Sequence, residues 1–335
     1  LKREQLDSLT FNGVSRRPDR DLVADTATLA LILDLRAEIT VAGGAADGAL
    51  NVEQPLGLVR TGRVYDGSTT PIVEIEPREL FQLAARRGMQ APSGVALAIP
   101  GVQAGTAVRA HLPLWFSDRW SRDPIEVHLR PRDPRKFRIE VEWFGLTNTE
   151  LRTALVTGSD RNFTVANLAV DILQVHDPIA FLKMRPHFLP RIVGYQVNAT
   201  VSSARFPFEI KTTNRVRASL LHTLDADVST EGIVTTLKLK DDQRDHEVDV
   251  LARTWHEEEQ YQFGGVGDVA PAMAYFFGDN ADNGKLSTVL APFQGGNPRW
   301  VLGVVGGANR IVRAVNVELE RVAGITTDEL PPGLA

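Results

Sequence analysis

The sequence predicts an all-β protein made of two β-sandwich domains in tandem. Three observations predict it. Apolar and polar residues alternate along many short stretches, turn-forming residues separate those stretches, and 335 residues exceed what one core usually supports. Alternation of period two places one set of side chains on a core and the other in water, the signature of a half-buried antiparallel strand.

Taken in chain order, the first strand-sized apolar run is Leu29 to Leu33. Asp66-Gly67 marks a turn. The clearest helix runs from Glu76 or Pro77 to Arg87. Pro77 suits the first helical position, Glu79 the positive end and Gly88 the stop. Leu80, Phe81 and Ala84 are expected on its sheet-facing side, and Trp115 in a strand core. Ile125 to Leu129 and Phe137 to Trp143 alternate, with Arg132-Asp133-Pro134 as the turn between them. A linker is expected at Leu146 to Glu150, dividing the chain into domains 1–147 and 148–335. Thr157 to Asp160 reads as a turn, and short helices are candidates at Ile179 to Met184 and Lys285 to Leu290. Leu237 to Lys240 and Val315 to Glu320 alternate again, the latter predicting Val315, Val317 and Leu319 inside and Asn316 and Glu318 in water. Val141 aligned on Val317 makes the two halves weakly alike, roughly half a chain apart.

Hydrophobic residues make up 43% of the chain, enough for two cores without staples. Cysteine is absent, which excludes disulfides and thiolate metal sites. A net charge of −5 argues against bulk electrostatic binding of nucleic acid. No apolar run reaches the roughly 18 residues of a spanning helix. Lys2 and Arg3 lead into Glu4, Gln5 and Asp7 without an apolar stretch, so no secretion signal is expected.

Searches for chemistry fail one by one. No serine sits in a G-x-S-x-G elbow. Gly278 to Lys285 has the wrong spacing for a phosphate loop, and Leu286 stands where a magnesium-binding hydroxyl should be. Pro271 follows the Gly265-Val266-Gly267 stretch, without the strand–helix context of a dinucleotide loop. His256-Glu257 begins like a zinc-protease helix, but Gln260 replaces the second histidine. The seven histidines form no H-x-H pair, which removes a cupin-type metal cluster. Asp279, Asp282 and Asn283 are candidate calcium ligands in an Asx-rich turn, with Ala281 and Leu290 failing the EF-hand pattern. No other metal and no organic cofactor is indicated, and no enzymatic activity is expected. Arg130, Arg132, Arg135, Lys136 and Arg138 form a dense basic stretch, able to meet phosphate or the acidic surface of another subunit. Without interleaved aromatics it offers no platform for single-stranded nucleic acid.

Three stretches carry a resemblance. Leu6 to Val14, followed by Thr26-Ala27-Thr28-Leu29, resembles the opening of the P2-type coat proteins of membrane-containing marine phages. Leu112-Pro113-Leu114-Trp115-Phe116-Ser117, then Pro124 to Leu129, then Phe137 to Val141, resembles the end of the first barrel in double jelly-roll capsid proteins more widely. Gly284 through Leu302 to Val322 is similar to the end of the second barrel. The resemblance implies two eight-stranded jelly rolls and the role of a major capsid protein of an icosahedral bacteriophage. It implies a homotrimer tiling a shell, with penton or minor capsid proteins and an internal viral membrane as partners. It also implies a place in the virion after assembly in the host cytoplasm, and no sequence-specific nucleic-acid binding. The rival reading is a two-domain carbohydrate-binding or glycan-active sandwich, with Trp115, Trp120, Trp255 and Trp300 lining a sugar groove.

Overall fold

The computed structural model describes residues 1–11, 16–51, 55–86, 102–116, 128–179, 188–210, 214–241, 244–252, 254, 272–276 and 299–322. The elements are β1 (Lys2–Thr10), β2 (Asp19–Asp21), β3 (Ala27–Ala42), β4 (Ala49–Leu50), β5 (Val59–Asp66), β6 (Val73–Ile75), α1 (Pro77–Arg86), β7 (Gln103–Trp115), β8 (Phe137–Trp143), α2 (Asn148–Leu155), β9 (Val156–Thr157) and β10 (Asn162–Asp177). They continue as β11 (Phe188–Asn198), β12 (Ser203–Glu209), β13 (Arg215–Asp225), β14 (Val228–Ser229), β15 (Val234–Asp241), β16 (Arg244–Leu251), β17 (Ala272–Phe276), β18 (Arg299–Val304) and β19 (Arg310–Arg321). The protein is all-β, and among the described residues no helix is long and apolar enough to cross a membrane.

The chain forms two compact units. The first comprises Leu1–Phe116 and Leu129–Met184, and most of the second begins at Arg185. The division therefore falls after Met184 and not at 147/148. α2, β9 and β10 belong to the first unit because β10 lies between β1 and β3, paired along its whole length from Asn162↔Ala42 to Asp177↔Ala27. β8 is thus not the closing strand of its unit.

In the first unit one sheet has the order β1-β10-β3-β7. A second is formed by β2, β8, β5 and β6 in that spatial order, every pair antiparallel. Alternation in β8 is realised as expected: Phe137, Ile139, Val141 and Trp143 are buried, and Arg138, Glu140 and Glu142 lie on the other face. Phe11 meets Trp143 edge-on at 6.4 Å between ring centres. α1 starts at Pro77, and Glu79 accepts from the Glu76 backbone N–H at 2.9 Å. Among its described side chains Leu80 and Leu83 are buried, whereas Phe81, expected inside, is only half-buried, and Ala84, expected there too, lies outside the described side chains. α2 occupies part of the expected linker. Its Thr147-x-x-Glu150 capping box was present in the sequence as a start signal.

In the second unit β12-β18-β15-β16 form one sheet. In the other, β19 runs between β11 and β13, and β13 also pairs with β14 and β17. The core between them gathers Phe208, Leu237, Leu239, Trp300, Leu302, Leu221, Val312 and Ala314. β19 departs from its expected alternation. Val315, Val317 and Leu319 are buried, but so are Asn316 and Glu318, at 0% and 2% exposure. Val312 and Ala314 place the even-numbered face of β19 on the unit's own core, so Asn316 and Glu318 point inward with them.

Candidate assembly surface

The predicted basic stretch is a rigid turn leading into β8, and Asp66-Gly67 at the end of β5 holds it. The Asp66 carbonyl accepts from the backbone N–H groups of Arg132 (2.6 Å) and Asp133 (3.0 Å). The Asp133 side chain accepts from the Arg135 backbone N–H at 3.0 Å, closing a single 3-10 turn over Pro134–Lys136. Gly67 has φ +110°, and a Cβ there would lie 2.5 Å from the Asp133 Cβ. Only glycine fits the close approach.

The charges of this stretch are largely answered within the chain. Arg132 Nε lies 2.9 Å from the buried Asp66 carboxylate. Lys136 Nζ is 4.0 Å from Asp133, and Arg138 Nε 3.5 Å from Asp19. The Arg138 guanidinium also sits 4.9 Å above the Tyr65 ring. Arg130 is half-buried. The Arg135 side chain is exposed and makes no ion pair among the described residues, so Arg135 and Lys136 form the outward tip.

Beside the turn, the outer face of β5, β6 and β8 carries a charge network. Arg63 binds Glu74 (3.0 Å), Glu140 (3.1 Å) and Glu142 (2.7 Å). Arg17 adds a contact to Glu142 at 3.2 Å. Burial works to lower the Arg63 pKa, but its three carboxylates outweigh burial and hold the guanidinium charged. Burial likewise pushes Glu142 upward, yet hydrogen bonds and charge from Arg63, then Arg17, hold it below the usual carboxylate value.

Among the described residues, the outer strands of the sheets β1-β10-β3-β7 and β12-β18-β15-β16 are blunted. β7 carries Pro113 and β12 carries Pro207, while β1 carries Lys2, Arg3 and Glu4, and β16 carries Arg244, Asp245 and Glu247. Proline and charge oppose the addition of a further strand.

The remaining sequence candidates divide clearly. Asp279, Asp282 and Asn283 lie outside the described residues, as do Trp120 and Trp255. Trp300 is buried in the second core, donating to Ser219 at 3.1 Å, and so lines no groove. Trp115, expected in a core, is on the opposite face of β7 from buried Leu112, Leu114 and Phe116, and is half-buried. His176 is buried 3.5 Å from Glu4. Burial lowers its pKa against the pull of that carboxylate.

No protein-family profile matches the chain, and no curated protein sequence does. Solved structures do. A chain in the atomic structure of Sulfolobus Turreted Icosahedral Virus superposes with TM-score 0.69 at 13% identity, covering 98% of this chain and 93% of that one. The major capsid protein P2 of bacteriophage PM2 gives 0.53 at 10% identity, covering 96% and 98%. A chain of the PBCV-1 virus capsid gives 0.56 at 10%, covering 95% and 93%. At such identities the likeness establishes the fold, a double jelly roll along nearly the whole chain.

Proposed function

We propose that the chain is a coat subunit of an icosahedral virion, with a structural and not a catalytic role. The observation that carries the reading is the extent of the likeness: it runs through both sandwiches, covering 98% of the sequence and 93% of a virion chain. A single shared sandwich would say little, because that architecture serves many functions. The finer reading is a homotrimer whose six sandwiches make a pseudo-hexagonal tile. Its partners are further copies, penton or minor capsid proteins and an internal membrane, with assembly in the host cytoplasm. The blunted strand edges favour association through faces and loop tips, and the Arg135–Lys136 tip is the cationic element suited to an acidic neighbour. Native mass determination tests the reading. A stable trimer that forms sheets or shells on concentration is expected, and a protein monomeric at high concentration would overturn it.

A further inference from the structure

The two sandwiches are built alike where their middle strand begins. β8 runs between β2 and β5, and β19 runs between β11 and β13. The turn entering β8 is tied to the end of β5 by Arg132 on Asp66. The turn entering β19 is tied to the end of β13 in the same way, by Arg310 Nε on Asp225 at 3.1 Å. Arg310 also donates to the Val305 carbonyl at 3.0 Å, and the Ala226 N–H donates to the Asn309 carbonyl at 3.1 Å. Two further loops join this end of the second unit. The Gly306 N–H donates to the Ser202 hydroxyl at 2.9 Å, the Gly307 N–H to the Ala199 carbonyl at 2.9 Å, and the Val305 N–H to the Ile233 carbonyl at 2.8 Å. A Cβ on Gly306 would collide with the backbone of Val201 and Ser202, so these loops pack backbone against backbone.

On this firmly held end Val201 and Val305 stand 73% and 40% exposed. The residues that form it, 199–202, 225–233 and 305–310, contain Asp225, Asp227 and Glu231 against Arg310 alone, and Arg310 is engaged by Asp225. Asp227 and Glu231 are exposed. Corresponding ends of the two sandwiches therefore differ in sign, basic at Arg135 and Lys136 and acidic at Asp227 and Glu231. In the pseudo-hexagonal ring of the coat-subunit reading, the pseudo-symmetry brings like ends of six sandwiches to one level, and alternation sets basic ends beside acidic ones. We infer that the Val201–Val305 end of the second unit is the docking surface for the Arg135–Lys136 turn of a second copy. The carboxylates meet the cations, and the aliphatic stems of Arg135 and Lys136 cover the valines. The inference rests on the coat-subunit reading and adds the partner surface to it.

Charge exchange and cross-linking of the full chain test it. Asp227→Asn/Glu231→Lys, with asparagine chosen to keep the left-handed turn, should raise the concentration for half-assembly of trimers about tenfold. Adding Arg135→Glu/Lys136→Glu to that chain should restore most of the loss, because the pair is then rebuilt with its signs exchanged. Val201→Ser/Val305→Ser should weaken trimers while unfolding at nearly the parent temperature, since both valines are exposed. Cysteine is absent from the chain, so introduced cysteines report contacts without background. Treated with a short bis-maleimide, Lys136→Cys and Val305→Cys should each remain single chains on denaturing gels, and Lys136→Cys/Val305→Cys should give a closed covalent trimer. If the parent forms trimers but the exchanged charges restore nothing, or the doubly substituted chain stays single, the contact is overturned and the coat-subunit reading stands. A parent that forms no trimers overturns both.

Discussion

Gln174 shows how much one buried side chain fixes. It is fully buried in β10, donates to the Val23 carbonyl (3.0 Å) and the Thr28 hydroxyl (2.7 Å), and accepts from the Val23 N–H at 2.8 Å. These bonds tie the segment before β3 to the central strand of the sheet. Gln174→Leu keeps the volume but strands the groups it served, and should cost about 2–4 kcal/mol in urea unfolding. A loss below about 0.5 kcal/mol would show that the segment repacks freely. Glu142 makes a second prediction, in pH. Its folded pKa lies below the usual 4.5, so the unfolded chain takes up the proton first as pH falls. The stability Glu142 contributes is therefore complete above 4.5 and is lost as pH drops from there through its folded value. Glu142→Gln should destabilise at neutral pH, and the gap to the parent should close in that acid window. A gap independent of pH would mean that packing, and not the charge on Arg63 and Arg17, carries the effect.

At the scale of elements, two turns offer the sharpest tests. The hairpin between β13 and β14 places Ala226 and Asp227 at φ 49° and 66°, the left-handed pair of a type I′ turn. Alanine is strained there by roughly 1 kcal/mol, so Ala226→Asn should raise the unfolding free energy read from urea titration by about 0.5 kcal/mol or more. Gly67→Ala should do the opposite and lower stability by about 2 kcal/mol or more, because Asp133 backbone blocks the new Cβ. The alternation of β8 and β15 and the Pro77 start of α1 were legible in the sequence because they are local signals. The membership of β10 was not, because strand partners lie far apart in sequence and nothing local names them. Charge told the same story. The cluster at residues 130–138 was evident, while Asp66 and Asp19, which answer Arg132 and Arg138, come from distant strands. β19 misled by its pattern, since alternation marks two faces without saying which one meets the unit's own core. Asn316 and Glu318 were read as solvent-facing for that reason.

At the scale of the whole molecule, assembly must use what the folded units leave available. Each unit buries apolar residues of its own, and among the described residues proline or charge blunts the outer strands, so strand addition between copies is disfavoured. Contacts between faces and loop tips remain. A head-to-tail contact of this kind leaves no unmatched surface only if a ring of copies closes, and three copies of a two-sandwich chain would close one. Charge in such a contact sets register and encounter rate more than raw affinity. The tip formed by Arg135 and Lys136 can be tested cleanly because neither side chain holds the fold. Arg132 cannot, since its partner Asp66 is only 1% exposed and would be left buried without its cation. Arg135→Glu/Lys136→Glu should therefore unfold at nearly the parent temperature while its trimers dissociate at lower dilution. The defect should be larger at low salt, where like charges brought together at the contact are least screened, and should shrink once the screening length falls to a few ångströms, about 3 Å at 1 M. Sedimentation across that salt range decides the matter: a variant as trimeric as the parent throughout removes the tip from the contact, and a parent without trimers removes the contact itself.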